Sequence, residues 1–413
     1  MAKARKDNKG RALRKGETYR KSDNSYMYKY TDPMGRKKYI YAQDLLTLRE
    51  REKKLIKEQL DGLDVYIAGN ATINFLFDRY MSVKTGLRDT TKSTYLYMYD
   101  HFVRNGFGDR RIAEIKYSDV LAFYIKLMDE KDLKIGTIDS IHTVLRPSFQ
   151  LAVRDNIIRN NPCDGVMAEL KKKSGNTHGM RQALTPDQQT AFVNYLEESP
   201  FHNRWRPLFV VMLGTGMRIG EVLGLRWDDI DLDKRNVSVN HSLTYYARHE
   251  GSSVCTNAIS LPKTEAGIRN IPVIDAVYDA FNEQKEYSEE VGGCVSEIDG
   301  MSGFVFFNRN NQVHKPSAVN KVIRAIIENY NSEEVVKARR EHREPVILPH
   351  FSCHHLRHTF CSRLCEADVN LKVIQQIMGH KDIQTTMDIY AEVSEAKKQE
   401  SMKEVADKFN GIL

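Results

Sequence analysis

The chain has 413 residues, of which 41% are hydrophobic and 28% charged, and its formal net charge is +7. This balance is ordinary for a soluble globular protein, and the length leaves room for two or three domains. The longest apolar run, Leu208 to Leu213, is far too short to span a bilayer, so the sequence excludes a transmembrane helix.

The amino terminus and the cysteines predict a cytoplasmic protein. Residues Met1 to Gly10 are charged and contain no apolar stretch of the kind that signal peptides carry. The six cysteines form no Cys-x-x-Cys pair and no disulfide-framework spacing, so we expect reduced thiols. We therefore expect neither secretion nor a membrane partner.

The positive charge is concentrated at the beginning of the chain. Residues 1–60 contain 18 Lys and Arg against 8 Asp and Glu, a surplus of ten, so the remaining 353 residues carry a net charge of −3. A basic segment of this kind is typical of a surface that binds nucleic-acid phosphates.

Basic and aromatic residues alternate within that segment. They do so in Tyr26–Tyr30 and in Lys37–Tyr41, which predicts two strands joined by a turn at Asp32–Gly35. A helix is predicted from Leu45 to Leu60. We expect the sheet to press into a DNA groove, which makes residues 1–65 a DNA-binding domain; the alternative is a solvated sheet whose tyrosines pack on the helix. The basic residues expected at the DNA are Lys29, Lys37 and Lys38.

After Gly62 the apolar pattern becomes helical. Ile73, Leu76 and Phe77 begin a series with helical spacing that predicts a helical domain over residues 71–168. Its scattered Lys and Arg fit a clamp on DNA, and they fit any soluble helical bundle equally well. A polar, basic stretch without apolar periodicity follows, so we expect a linker over residues 169–182.

Residues 183–393 predict a third domain. Thr185 to Gln188 predict the start of its first helix: a threonine cap, a proline at the first helical position and a glutamine three residues after the cap. Short strands are predicted at Asn236–Asn240 and Asn270–Val273, around a glycine-containing hairpin region. The predicted fold class is therefore mainly α with small β elements, of the α+β kind.

The last residues, 394–413, predict a tail helix. Its Met402, Val405, Phe409 and Leu413 form a narrow apolar stripe. Two partners for this stripe stay open: the protein's own third domain and a neighbouring subunit.

Arg218 and Glu221 follow Gly214 to Gly216, a sequence that ends one helix and begins another. Amides at a helix amino terminus favour an anion, and a guanidinium group adds a bidentate grip on phosphate. Glu221 shares the helix face of Arg218 and holds it in place; the alternative is an ordinary surface ion pair. Lys263 precedes Thr264 to Gly267, a predicted hairpin turn, and is either a solvated charge or the donor of a proton to a leaving 5′ oxygen.

His354, Arg357 and His358 fall on one helical turn, where they can recognise phosphate or bind a metal. Cys361 and Cys365 continue this stripe and raise the alternative of a zinc site. Ligands spread over eleven residues of a straight helix span about 16 Å, so four of them cannot close a tetrahedron. We expect no metal, and we expect both cysteines in the core.

His380 follows Met378-Gly379, a turn that exposes the imidazole, and Tyr390 lies on the helix predicted after it. A tyrosine is usually a core or surface residue, and this chain has 20. Tyr390 is singled out by its place after both histidine elements and the upstream Arg218. The ordered combination is far more specific than any one member.

In this order the elements resemble the catalytic set of the tyrosine recombinase (phage integrase) family, and they look most similar to integrases of conjugative transposons from Gram-positive bacteria. The matching elements are Thr215–Glu221, Pro262–Arg269, His354–His358, Met378–His380 and Tyr390. The resemblance implies an amino-terminal arm-binding sheet domain, a helical core-binding domain and a mostly helical catalytic domain with a small sheet.

The resemblance also implies a role for each matched side chain. Arg218 and Arg357 would hold the scissile phosphate. Lys263 would be the general acid, His354 the general base and His380 a supporting donor.

Tyr390 would be the nucleophile, with Glu221 and His358 as structural supports. Two features depart from the family pattern. Tyr390 lies ten residues beyond His380, one more than the commonest spacing, and Glu392 stands where a histidine is often seen.

The implied activity is site-specific recombination that integrates and excises a mobile element through a 3′-phosphotyrosyl intermediate. The implied partners are double-stranded DNA, a homotetramer formed on it, an excisionase and a host DNA-bending protein; no metal or nucleotide cofactor is implied. A prophage integrase is the nearest alternative, and a chromosome-dimer resolvase is disfavoured by the basic first domain. A type IB topoisomerase and a non-catalytic DNA-binding regulator are the more remote alternatives.

Overall fold

The computed structural model of the protein describes residues 5–31, 37–60, 71–173, 182–248, 254–262 and 267–393. The chain forms two units, Met1–His178 and Gly179–Leu413. Five predictions fall wholly or mostly outside the described residues: the turn at Asp32–Gly35, most of the linker, Lys263, the hairpin turn that follows it and the tail helix. No helix of the described residues is long and apolar enough to cross a membrane.

The first unit begins with a three-stranded antiparallel sheet in the order β1-β2-β3. Its elements are β1 (Glu17–Arg20), β2 (Ser25–Thr31), β3 (Lys37–Ala42) and helix α1 (Leu45–Leu60). Both predicted strands and the helix are present, and β1 is an additional strand that sequence patterning missed. One face of the sheet packs on α1, with Tyr26, Ala42, Leu45 and Leu48 as its core.

A helical bundle completes the first unit. Its helices are α2 (Ile73–Val83), α3 (Asp89–Phe102), α4 (Tyr117–Lys131), α5 (Ile135–Arg154) and α6 (Val166–Lys173). Thr72 caps α2 by accepting a hydrogen bond from the Phe75 amide at 3.2 Å. Apolar residues at helical spacing meet in a single core, in which Phe77 stacks on Tyr99 with ring centroids 3.7 Å apart.

The second unit is mostly helical. Its helices are α7 (Pro186–Glu198), α8 (Arg206–Thr215), α9 (Ile219–Gly224), α10 (Asp275–Val291), α11 (Pro316–Arg340), α12 (Cys353–Glu366), α13 (Leu371–Met378) and α14 (residues 384–393). The predicted capping box begins α7, since Thr185 Oγ1 accepts from the Gln188 amide at 3.2 Å and Gln188 Oε1 accepts from the Thr185 amide at 3.1 Å.

Five short strands accompany these helices. They are β4 (Ile230–Asp231), β5 (Asn236–Val239), β6 (Ser242–Ala247), β7 (Cys255–Ser260) and β8 (Arg269–Pro272). The two predicted strands are β5 and β8, which pair antiparallel in a sheet of order β4-β5-β8. The intervening region contains the β6–β7 hairpin, whose strands sequence patterning did not separate.

Helix α8 lies in the core of the second unit and ends next to the candidate site. It terminates at Gly216, whose φ of 62° lies in the left-handed region. A Cβ at this position would stand 2.3 Å from Phe360 Cδ1 and 2.9 Å from Met378 Sδ. Only glycine therefore allows the backbone of Gly216 to approach α12 and α13 this closely.

Candidate active site

Arg218 occupies the junction between α8 and α9, as the capping residue of α9. Its backbone amide donates to Glu221 Oε2 at 2.8 Å, and its Nη1 donates to Glu221 Oε1 at 2.9 Å. Its Nη2 donates to the carbonyl of Gly379 at 3.3 Å. The predicted pairing of Arg218 with Glu221 is present, and the guanidinium group is additionally fixed to the turn that precedes His380.

Arg357 lies on α12 and is 7% exposed. Its Nη1 donates to the Gly216 carbonyl at 2.6 Å, and its Nη2 donates to the Met378 carbonyl at 2.5 Å. Burial, and after it the positive charge of Arg218, lowers the pKa of Arg357 to about 9. The folded site thus destabilises the charged form of Arg357. An anion placed between the two arginines would offset this destabilisation.

His380 is delivered by the end of α13. Gly379 adopts a left-handed conformation with φ of 62°, and the His380 amide donates back to the Gln375 carbonyl at 3.1 Å. The imidazole is buried, with Nδ1 3.0 Å from Thr386 Oγ1. Burial, followed by the charges of Arg357 and Arg218, lowers the pKa of His380 to about 4. His380 is therefore neutral at pH 7, and when Nδ1 accepts from Thr386 its hydrogen lies on Nε2.

Arg269 on β8 is a member of this site that sequence reasoning did not single out. It is buried, and its Nη2 and Nη1 donate to the two oxygens of Glu221 at 2.8 and 3.2 Å. Its Nε donates to the Ile377 carbonyl at 2.7 Å, on the last turn of α13. Arg269 thus ties the helix of Arg218 to the helix that delivers His380.

Glu221 is the counter-charge of the site. Burial raises its pKa, but the hydrogen bonds and charge of Arg269, together with Arg218, outweigh burial and lower the pKa to about 2. Two guanidinium groups, those of Arg218 and Arg269, contact this carboxylate, and the buried Arg357 guanidinium interacts with it only through its charge. Among these four described side chains the positive charge is in excess, as a site for a phosphate diester requires.

Other residues predicted from the sequence lie on α12 or outside the described part of the chain. His354 is exposed on the first turn of α12, three residues before Arg357 and so on a neighbouring face of the helix. Lys263 lies between β7 and β8, outside the described residues. Cys361 and Cys365 are buried in a core with Ile374, Met378 and Ile389, as predicted. The described residues contain no group of three or more His, Cys, Asp or Glu side chains able to hold a metal ion.

Tyr390 lies on α14 and is 37% exposed. Four residues earlier on the same helix, Thr386 contacts His380, and two residues later Glu392 faces His358 on α12, with Oε2 and Nε2 3.7 Å apart. Sequence reasoning missed the contact of Thr386 with His380 and the pairing of Glu392 with His358. The only local signal for the contact of Thr386 was its i, i+4 spacing from Tyr390.

A second candidate surface is the face of the amino-terminal sheet that points away from α1. Lys29 pairs with Tyr39 in register and shares this face with Lys37, whereas Lys38 pairs with Tyr30 on the α1 side. Alternate residues of a strand point to opposite faces, so the predicted basic set is divided between them. Tyr39 and its neighbour Tyr41 are 46% and 44% exposed, as residues that contact a partner would be. The Arg20 guanidinium lies 5.3 Å from the Tyr41 ring centroid and adds positive charge there.

Comparison with known proteins covers both ends of the chain. Residues 182–397 match the Phage integrase family, and residues 1–59 match the DNA binding domain of tn916 integrase. The chain is similar to the transposase from transposon Tn1545 of Streptococcus pneumoniae and to that from transposon Tn916 of Enterococcus faecalis. Each is 30% identical over 410 residues, which is 95% of this chain and 94% of the relative.

Solved structures agree with this similarity. The Tn1549 transposon integrase in complex with transposon right end DNA is 26% identical, with a TM-score of 0.66 over 80% of this chain and 99% of that one. The same integrase in complex with a circular intermediate DNA is 27% identical, with a TM-score of 0.67 over the same 80% and 99%.

Proposed function

The chain belongs to the phage integrase family of tyrosine recombinases, and we propose that it integrates and excises a conjugative transposon by cutting and rejoining DNA at specific sites. Relatives that match almost its whole length include the transposases of Tn1545 and Tn916, and the Tn1549 integrase is similar to 80% of it. The observation that carries the proposal is the meeting of Arg218, Arg357 and His380 around the turn at Met378-Gly379, with positive charge in excess.

In this mechanism the two arginines grip the scissile phosphate, and neutral His380 donates a further hydrogen bond to it. The oxygen of Tyr390 attacks phosphorus, a 3′-phosphotyrosine bond forms, and the bond to the 5′ oxygen breaks. His354 accepts the tyrosine proton and Lys263 protonates the leaving 5′ oxygen. A 5′ hydroxyl of the partner DNA reverses these steps and releases the protein.

The cationic cluster answers a physical need of this reaction. A tyrosine with a pKa of about 10 is only about 0.1% ionised at pH 7, a penalty of roughly 4 kcal/mol. Guanidinium groups already held in place stabilise the charge that builds up on the phosphate, without reorganising at the moment of reaction. The carbonyls of Gly216 and Met378 hold Arg357, so the position of its guanidinium group is fixed before a phosphate binds.

We also propose a function for each segment of the chain. Residues 1–65 bind arm-type DNA through the outer sheet face, residues 71–168 bind the core site, residues 169–182 link them to the catalytic domain at 183–393, and residues 394–413 form the tail. The match of residues 1–59 to a transposon-integrase DNA-binding domain supports the first assignment.

Recombination between two duplexes requires four strand cleavages, and each subunit supplies one nucleophile. We therefore propose a homotetramer on DNA, aided by an excisionase and a host DNA-bending protein. Because the substrate is chromosomal DNA, we place the activity in the cytoplasm.

A nicked duplex that carries a transposon end tests the proposal, because loss of the short strand beyond the nick traps the covalent intermediate. We expect a denaturant-resistant protein–DNA adduct with the unaltered protein and none with Tyr390→Phe. Tight binding without an adduct on any transposon end would favour a DNA-binding regulator. Relaxation of supercoiled DNA without joining of two sites would favour a type IB topoisomerase, and an adduct only on prophage ends would favour a prophage integrase.

A further inference from the structure

Besides the apolar packing of Ile389, two polar side-chain contacts join helix α14 to the rest of the catalytic unit, one on either side of Tyr390. Thr386 Oγ1 lies 3.0 Å from His380 Nδ1, and Glu392 Oε2 lies 3.7 Å from His358 Nε2. The first contact reaches the turn that holds the phosphate-binding groups. The second reaches α12, one residue after Arg357.

The His358 end of the second contact is firmly placed. Its neighbours on α12, Leu356 and Thr359, are 0% exposed, and Arg357 is bonded to two backbone carbonyls. The His358 side chain itself is 14% exposed and that of Glu392 34%. This polar contact thus links the helix that carries Arg357 to the helix that carries Tyr390.

The arrangement of residues around α14 indicates how the contact between Glu392 and His358 affects Tyr390. Thr386 and Ile389 form its buried seam, at 0% and 8% exposure, whereas Tyr390 is 37% exposed. At about 100° per residue, Tyr390 and Glu392 leave this seam on opposite sides of the helix. A contact at Glu392, away from this seam, opposes a roll of α14 about its axis.

A small roll has a large effect on the nucleophile. A rotation of about 10° moves an atom about 9 Å from the helix axis by about 1.5 Å. A misplacement of about 1 Å can slow a reaction by about a hundredfold. The orientation of an exposed tyrosine on this helix therefore depends on the contacts that flank the seam.

We propose that Glu392, through His358, is a positioning residue that sets the orientation of Tyr390 for attack on the scissile phosphate. This inference rests on the proposed function, because it assigns a partner to the nucleophile of that reaction. The contact itself supplies the partner, since it matches the carboxylate of Glu392 to a histidine on α12.

Glu392→Ala is the direct test, with adduct formation followed over time on a nicked duplex at saturating protein. We expect the rate to fall about tenfold, as loss of a partly exposed polar contact and a modest displacement of the tyrosine would cause. DNA affinity and the unfolding temperature stay unchanged. Glu392→Gln keeps an oxygen that can accept from His358, and we expect it to recover part of the rate. Asp388→Asn removes a carboxylate from the same helix and keeps its contact with Gln384, so it serves as the matched control and reacts at the parental rate.

A second measurement separates positioning from a structural effect on the phosphate site. In a Tyr390→Phe protein, hydrogen peroxide can replace the phenol: its oxygen attacks phosphorus and expels the same 5′ oxygen. Because this nucleophile is not attached to α14, adding Glu392→Ala leaves the peroxide reaction unchanged. A peroxide reaction that slows as much as the tyrosine reaction overturns the inference, as does Glu392→Ala forming the adduct at the parental rate. A parental protein that forms no adduct refutes the proposed function and this inference with it.

Discussion

Arg269→Met should be the most damaging single substitution in the site that leaves the predicted catalytic residues unaltered. It removes the cation that donates to both oxygens of Glu221 and to the Ile377 carbonyl. Glu221 is then a buried carboxylate with Arg218 as its only charged partner among the described contacts. Breaking a buried ion pair by removing one partner costs about 3–5 kcal/mol.

Thermal unfolding of the full-length protein measures this loss. For a domain the size of the second unit, we expect the unfolding temperature to fall by about 6–20 °C. The rate of adduct formation should also fall. Without Arg269, the carboxylate of Glu221 is no longer fixed and therefore orients Arg218 less well. Arg235→Met is a matched control: its ion pair with Asp275 is exposed, at 49% and 85%, and is worth at most about 1 kcal/mol.

A double substitution shows whether the cost comes from the stranded carboxylate. Glu221→Gln in the Arg269→Met protein removes the uncompensated charge, so it should restore part of the unfolding temperature. Two results would refute the reasoning: Arg269→Met no more destabilising than Arg235→Met, or a double variant no more stable than Arg269→Met alone.

Three further predictions use charges in the two sites. The pKa of His380, followed by NMR of the labelled imidazole, should lie near 4 in the free protein and rise on transposon-end DNA, because the phosphate offsets the neighbouring guanidinium charges; a free-protein pKa at or above 6.5 would contradict the site's electrostatics. Glu221 has a folded pKa of about 2, below its usual 4.5, so its contribution to the free energy of unfolding is present above pH 4.5 and lost as the pH falls toward 2; Glu221→Gln should flatten that acid limb, and an unaltered limb would argue against it. Lys29→Ala and Lys37→Ala should each reduce the slope of log affinity for arm DNA against log salt concentration by about 1, and Lys38→Ala should reduce it less. Equal reductions of this slope for all three variants would mean that DNA does not bind one face of the sheet in preference to the other.

Local chemistry was enough to predict much of the fold. The capping box at Thr185 to Gln188 starts a helix through bonds within four residues, so it needs no tertiary context. The alternation in Lys37–Tyr41 likewise predicts a strand. The same alternation separates Lys37 from Lys38 without any structure, because neighbouring strand residues point to opposite faces. Strand β1 was not predicted, since its four residues are too few to show a pattern.

Family and candidate catalytic residues could be read from the sequence because the motifs occur in a fixed order with specific residue types. What only the tertiary structure decided is how those residues are held. Arg269 and Glu221 are 48 residues apart, and Arg357 and the Gly216 carbonyl are 141 apart. No periodicity connects such positions, because hydrogen bonds to backbone carbonyls and buried ion pairs depend on where the helix ends meet. The sequence thus predicts a phosphate-binding set, and the packing of α8, α12 and α13 decides the geometry of its described members.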